Sequence, residues 1–255
     1  MLLVLDMGNT NITLGIYEGN TLRLQSRIAT DPTKMEDQYA VELMDLLRLY
    51  RLEATAFRGA VISSVVPQLN HALCGAVHKV TGVRPLLVGP GTKTGINIRI
   101  DNPASLGADL LVGAVAAVER VGAPCIIWDL GTATTVSVVD KDGAFRGGAI
   151  LPGVVTGVAS LTQRTSLLPS VSVDAPDTVI GTNTVACLQS GAVFGTAATI
   201  DGMNRRLMQE LGYPAPVVIT GGLSREIAAH CDSEMLYVEE LLLDGLRLIW
   251  EKNKK

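Results

Sequence analysis

One strand-turn-strand unit occurs twice in this chain, and that repetition limits the folds open to it. The first copy is an apolar run at residues 2–5, a turn through Asp6-Met7-Gly8-Asn9-Thr10, and a returning strand from Asn11 to Tyr17. Glu18-Gly19-Asn20 then turns the chain into a third strand, Thr21 to Ile28. The second copy runs Cys125-Ile126-Ile127-Trp128-Asp129-Leu130, turns at Gly131-Thr132-Ala133-Thr134 and continues as a strand from Thr135 to Val139. Asp140-Lys141-Asp142-Gly143 is its second turn, and Ala144 to Leu151 its third strand. In both copies an Asp closes an apolar strand, with Gly two residues on and small polar residues after it. Such self-similarity predicts a duplicated half-domain.

A turn of this make-up suits phosphate. Gly lets the backbone bend sharply and present N–H groups, and hydroxyl and amide side chains add donors around phosphate oxygens. Asp, Gly and Asn are also ordinary hairpin residues, so one turn alone says little. Two such turns facing each other across a cleft would clamp a polyphosphate from both sides. Thr220-Gly221-Gly222-Leu223-Ser224, between a strand and a helix, is a third element against which a flat nucleoside could lie. Gly-Gly is equally a simple connection.

The remaining pattern is α/β. Helices are predicted at 33–49, with Tyr39, Leu43, Leu46, Leu47 and Tyr50 on the apolar side, and from Pro67 to about Val80. Others are predicted at 103–121, 154–161 and 184–211, from a cap at Ser224 to about His230, and at 241–250. Strands are predicted at 59–66, 85–88 and 216–220, with 96–100 extended and 167–176 a loop with a short extended stretch. The division falls near residue 122, giving halves 1–122 and 123–255 that share a cleft.

A chain of 255 residues with 47% hydrophobic content can bury a substantial core, and with 4% aromatics that core is Leu, Val, Ile and Ala. The net charge of −4, with no basic stripe, argues against nucleic acid. ATP stays open, because backbone N–H groups and a metal ion hold phosphates locally. Cys74, Cys125, Cys187 and Cys231 form no CxxC pair; buried or half-buried free thiols in a reducing cytoplasm are expected. The apolar start, Met1 to Leu5, is too short for a signal peptide, and no stretch approaches a membrane span. Gly89-Pro90-Gly91-Thr92-Lys93-Thr94-Gly95 has the composition of a phosphate loop without the Walker spacing. His71 and His78, seven apart on one helix, and His230 near a helix end suit structural or surface roles. Asp109 is the catalytic candidate. Leu106, Leu110, Leu111, Val112 and Val115 surround it on its helix, and a carboxylate in apolar company needs a reason. A kinase has one, since it must orient the attacking hydroxyl and take its proton.

Taken in order, Asp6-x-Gly8-Asn9-Thr10, Gly95, Asp101-Asn102-Pro103, Gly107-Ala108-Asp109 and Asp129-x-Gly131-Thr132-Ala133-Thr134 resemble the type III pantothenate kinases. These belong to the acetate kinase, sugar kinase, Hsp70 and actin superfamily. The similarity continues through Gly147-Gly148-x-Ile150-x-Pro152-Gly153, Gly181-x-Asn183-Thr184, Thr220-Gly221-Gly222 and Leu243-Asp244-Gly245-Leu246, nearly the whole chain. The resemblance implies duplicated ribonuclease H-like (actin-like ATPase) domains flanking a nucleotide cleft. It implies phosphoryl transfer from ATP to the primary hydroxyl of pantothenate, the first step toward coenzyme A. Mg²⁺ or another divalent cation, activation by K⁺ or NH₄⁺, and a homodimer whose interface shapes the pantothenate pocket come with it. Carried over by motif, Asp6, Met7, Gly8, Asn9, Thr10, Asn11, Ile12 and Thr13 form the first ATP segment, and Thr132 contacts ATP. Asp129 is a monovalent-cation ligand. Asp109 is the catalytic base, and Ile100, Gly107, Ala108, Asp109, Leu110 and Thr184 line the substrate site. Many relatives have Tyr where Ile100 stands and Arg where Leu110 stands. Loss of that Arg removes a five-donor cation, so the pantothenate carboxylate would be met elsewhere. A kinase for another small alcohol, or a non-catalytic nucleotide- or pantetheine-binding regulator, is the alternative reading.

Overall fold

The computed structural model describes residues 1–254. In chain order the elements are β1 (Leu2–Met7), β2 (Asn11–Glu18), β3 (Thr21–Ala29), α1 (Glu36–Leu49), β4 (Gly59–Ser64), α2 (Asn70–Thr81), β5 (Leu86–Leu87), β6 (Asn97–Ile98) and α3 (Ala108–Val121). They continue with β7 (Cys125–Leu130), β8 (Ala133–Val139), β9 (Ala144–Pro152), α4 (Val154–Arg164), α5 (Thr184–Leu211), β10 (Val217–Thr220), α6 (Ser224–Ala228), β11 (Leu236–Tyr237) and α7 (Leu241–Asn253).

The predicted repeat is a repeat of topology. One sheet has the order β3-β2-β1-β4-β5, and the other contains β9-β8-β7-β10-β11 with β6 added beside β9. In each, the first three strands form an antiparallel meander, and the next two run parallel to the first. A parallel partner needs a crossover, and α1 and α5 supply it. Burial repeats as well. β1 and β7 each bury every residue but the Asp one place from the end, and the first seven residues of β2 match β8, with an exposed start, a half-buried third residue and the others buried.

By contacts the chain forms two compact units. The first contains Met1–Gly95, Asn102–Ala116 and the C-terminal segment from Leu241, and the second Ile96–Asp101 and Ala117–Glu240. A single cut after residue 122 therefore does not describe the packing. The closing helix α7 lies on β1, β2 and β4, where Leu241, Leu243, Leu246 and Ile249 are all buried. Segment 96–101 goes to the second unit because β6 pairs with β9.

Alternation along β1 sorts the layers of the first unit. Leu3, Leu5 and Met7 enter a core with Tyr39, Leu43 and Leu47 of α1 and Leu73, Ala76 and Val77 of α2. The intervening positions, Val4 and Asp6, face the opposite way, as side chains of a strand must. In the second unit Ile126, Trp128 and Leu130 enter a core with Val193, Ala197 and Ile200 of α5 and Ile227 of α6. The indole N–H of Trp128 is satisfied there by Asn204 Oδ1 at 2.8 Å.

Several local expectations change. Pro67 and Pro103 open short 3-10 turns, and the α-helices begin after them at Asn70 and Ala108. Tyr50 lies past the end of α1 and is exposed. Ser224 is the first residue of α6, not its cap, and its hydroxyl donates to the Gly221 carbonyl. Cys187 is exposed, while Cys125 is buried and Cys74 and Cys231 are intermediate. No strand forms in 167–176, and β11 has no counterpart in the sequence reading. No helix among the described residues is long and apolar enough to cross a membrane.

Candidate active site

Asp6 ends β1 beside two hydroxyl residues. Its register partners are Thr13 on antiparallel β2 and Ser63 on parallel β4. The fully buried Ser63 donates its hydroxyl to Asp6 Oδ1. The turn after Asp6 is held from behind. Gly8 N–H bonds to the Asn11 carbonyl at 3.0 Å, and Thr30 gives its hydroxyl to the Gly8 carbonyl at 2.7 Å and its N–H to the Thr10 carbonyl at 2.9 Å. In a trans peptide the C=O and the next N–H point oppositely, so Asn9 N–H points away from Thr30. The side chains of Asn9, Thr10 and Asn11 are exposed. Met7 and Ile12 are fully buried and hold the turn in the sheet; they can offer a ligand only their backbone.

Asp109 belongs to the same unit, in the first turn of α3. Val112 and Val115 are buried and anchor this helix, and α7 crosses it closely enough that a side chain at Gly245 would strike the Val112 backbone. The N–H of Leu110 bonds to Asp109 Oδ1 at 2.8 Å. A Cβ at Gly107 would crowd the same carboxylate oxygen and push it from this position. Gly107, Ala108 and Leu110 thus frame the half-buried Asp109, and Leu110 brings no charge.

Asp6 senses the charge of Asp109. Burial raises the pKa of Asp6 from 3.8 to about 6; the Ser63 hydrogen bond opposes this, and the charge of Asp109 adds to it. Burial likewise raises Asp109, against the backbone hydrogen bonds of Leu110 and of Asp109 itself. Asp6, a buried carboxyl held above the usual range at the start of the Gly8 turn, suits a divalent cation. Among the described residues no group of three His, Cys, Asp or Glu side chains can enclose a metal. The fit is therefore to a hydrated ion completed by phosphate oxygens, as Mg²⁺ prefers.

In the second unit Asp129 has the same neighbours in kind, Thr135 on β8 and Thr220 on β10. Carboxylate plus two hydroxyls is an all-oxygen set, suited to a hard cation. The turn is one residue shorter, with Gly131 N–H bonded to the Ala133 carbonyl at 3.1 Å. Thr156 donates to the Thr132 carbonyl at 2.9 Å, and exposed Thr132 stands at the tip. The Gly221 turn presses on this strand end: its φ is 103°, and a Cβ would meet the Leu130 backbone. Ile100 follows β6, three strands from β7, and packs near Gly147. Thr184 opens α5 beside Asn183, whose Oδ1 caps the helix through Ala186 N–H at 3.0 Å.

The structure thus brings Asp6 and its turn together with Gly107–Leu110 in one unit, and Asp129 with Thr132 in the other. Ser63 and Thr30 were missed in the sequence reading. Ser63 could have been found as a hydroxyl closing an otherwise apolar strand. His71 and His78 line an open groove with Cys74 and Arg84, and none of the candidate site residues is among its lining.

Residues 2–206 match the family model described as type III pantothenate kinase. A protein of that name from an Anaeromyxobacter species is 44% identical over 254 residues, covering all of both chains. One from Brevibacillus brevis is 41% identical over 254 residues, also at full coverage. Among solved structures, component A of (R)-2-hydroxyglutaryl-CoA dehydratase from Acidaminococcus fermentans is similar with a TM-score of 0.58 at 13% identity, covering 100% of this chain and 99% of that one. The inorganic polyphosphate/ATP-glucomannokinase from an Arthrobacter species has a TM-score of 0.53 at 14% identity, with 99% of each chain covered. At such identities the structures speak for the fold alone, and they bear out the duplicated ribonuclease H-like α/β architecture that the family resemblance implied.

Proposed function

The chain belongs to the type III pantothenate kinase family, and we propose that it transfers the γ-phosphoryl group of ATP to the primary hydroxyl of pantothenate, the first step toward coenzyme A. The observation that carries this reading is Asp109, a half-buried carboxylate raised by burial, set at a helix start within electrostatic reach of Asp6. ATP with its divalent cation supplies the phosphoryl group and spreads the developing charge when bound. The turn from Asp6 to Thr13 offers N–H and side-chain donors to the phosphates, and Thr132 in the second unit contacts the nucleotide. Asp109 accepts the proton of the pantothenate hydroxyl as that oxygen bonds to the γ-phosphorus and the bond to the β-phosphate oxygen breaks. Gly107 and Ala108 keep that carboxylate clear, and Ile100, Leu110 and Thr184 complete the acceptor site. Leu110 offers the pantothenate carboxylate no charge, so its partner lies elsewhere.

Asp129, with its row of hydroxyls, is assigned to K⁺ or NH₄⁺. The purified protein with ATP, Mg²⁺ and K⁺ should phosphorylate pantothenate in preference to a panel of other small alcohols. Asp129→Ala should bring the rate with K⁺ down to the K⁺-free level. Transfer only to another alcohol overturns the substrate, ATP binding with no transfer favours a regulatory role, and an Asp129→Ala enzyme still stimulated by K⁺ overturns the cation assignment.

A homodimer and a cytoplasmic location complete the reading. Large apolar side chains lie open along 150–185 of the second unit, among them Leu167 at 90%, Ile180 at 81% and Ile150 at 75% exposure. Exposed apolar side chains of this size support an interface on this segment. Sedimentation should show a dimer at micromolar concentration, and the double variant Leu167→Asp, Ile180→Asp a monomer. A monomeric wild type overturns the dimer. Free thiols at all four cysteines agree with a reducing compartment.

A further inference from the structure

Asp6 and Asp129 each stand in the middle of a row across three strands, Thr13–Asp6–Ser63 in one sheet and Thr135–Asp129–Thr220 in the other. Residues paired in register point to the same side of a sheet, so each carboxylate has a hydroxyl residue on both flanks. The duplication has kept this chemistry in a strand, β4 or β10, that is far in sequence from its Asp. The fourth-strand members are both buried, Ser63 at 0% and Thr220 at 3% exposure. They differ in what they hold. Ser63 donates to Asp6 Oδ1, whereas the Thr220 hydroxyl is 3.4 Å from the Glu239 carbonyl.

We propose that Ser63 is a positioning residue: its hydroxyl fixes the Asp6 carboxylate so that the other oxygen, Oδ2, faces the metal-bound phosphates of the nucleotide. The inference rests on the assignment of Asp6 to the divalent cation. A serine has a single hydroxyl proton, and this one is given to Oδ1. Among the described residues Oδ2 accepts no hydrogen bond, which leaves it for a ligand or its water. The rest of β4 before Ser63 is Gly59-Ala60-Val61-Ile62, all buried, and an alanine would suit such a strand if no carboxylate had to be held. A carboxylate turning freely about its last torsion would offer a metal-bound water no fixed acceptor. One directional, charge-assisted bond removes that freedom.

The test is calorimetric binding of a non-hydrolysable ATP analogue with Mg²⁺ and again in EDTA, on the full chain. Ser63→Ala should weaken the Mg²⁺-loaded complex by about 10-fold or more, the scale of a lost hydrogen bond to a charged group. Affinity in EDTA should stay within about twofold. Ser63→Thr should restore the Mg²⁺-dependent gain, since Thr220 occupies the matching register in the second unit. A gain that survives in Ser63→Ala overturns the positioning role alone. A wild type with no Mg²⁺-dependent gain overturns the Asp6 assignment and the proposal with it. If Ser63→Ala loses its far-ultraviolet circular dichroism, Ser63→Cys, of similar shape and a weaker donor, takes its place. It should show a reduced gain, and an undiminished one overturns the proposal.

Discussion

Replacing Asp109 by Asn lowers kcat by at least ~10²-fold, the scale of acid–base assistance, and leaves ATP affinity close to that of the wild type. Asn keeps the size of the side chain and can still accept the Leu110 N–H through its amide oxygen, so the helix start is retained. It cannot take a proton. Asp109 acts on Asp6 through its charge. Removing that charge relieves repulsion at Asp6, so nucleotide binding has no reason to weaken. Single-turnover transfer and equilibrium binding, measured on the same preparation, separate the two quantities. Unchanged turnover removes Asp109 from the role of base, and equal losses in both assign it to binding.

Replacing Asp6 by Asn makes the protein more stable and nearly inactive. The sign follows from the raised pKa. In the folded chain Asp6 titrates at about 6 against 3.8 for the free group, so between these values the native state holds the extra proton. Stability therefore falls as pH rises from about 4 to 6, and above 6 the full penalty is in place. At 1.36 kcal/mol per unit it is at most about 3 kcal/mol. Asn carries no charge and escapes it. In EDTA at pH 8 the variant should melt a few degrees above the wild type, at about 2–4 °C per kcal/mol for a chain of this size. At pH 4 the gap should close. Phosphoryl transfer should fall by at least ~10²-fold, because a preorganised charge at the phosphates is lost. A variant that melts lower at pH 8 would show that Asp6 supports the fold rather than straining it. A carboxylate kept where it destabilises is the stability cost that active sites commonly carry.

Much of this was visible in the residues. The strand ends at Asp6 and Asp129 follow from apolar runs broken by Asp-x-Gly, and α5 matches its expected span, Thr184 to Leu211, because Asn183 caps it and Gly212 ends it at a φ of 79°. The order of the motifs also carried the family. Other features left no local trace. β11 is two residues long and exists only because β10 lies beside it. The closing helix α7 looks like any apolar stripe, and its place on β1 depends on packing between residues more than two hundred positions apart.

Periodicity, turn chemistry and the repeat were enough to establish two copies of one α/β unit, and to single out the first turn as a candidate for phosphate and Asp109 as a carboxylate in apolar company. These are properties of short segments, governed by near neighbours. The partnership of Asp6 with Ser63, 57 residues away, came only with the fold. So did the charge coupling of Asp6 to Asp109 and the allotment of α7 to the first unit. Strand register and helix packing bring together groups that no local rule relates, and the energies of burial and hydrogen bonding act on that arrangement rather than on the order of the letters.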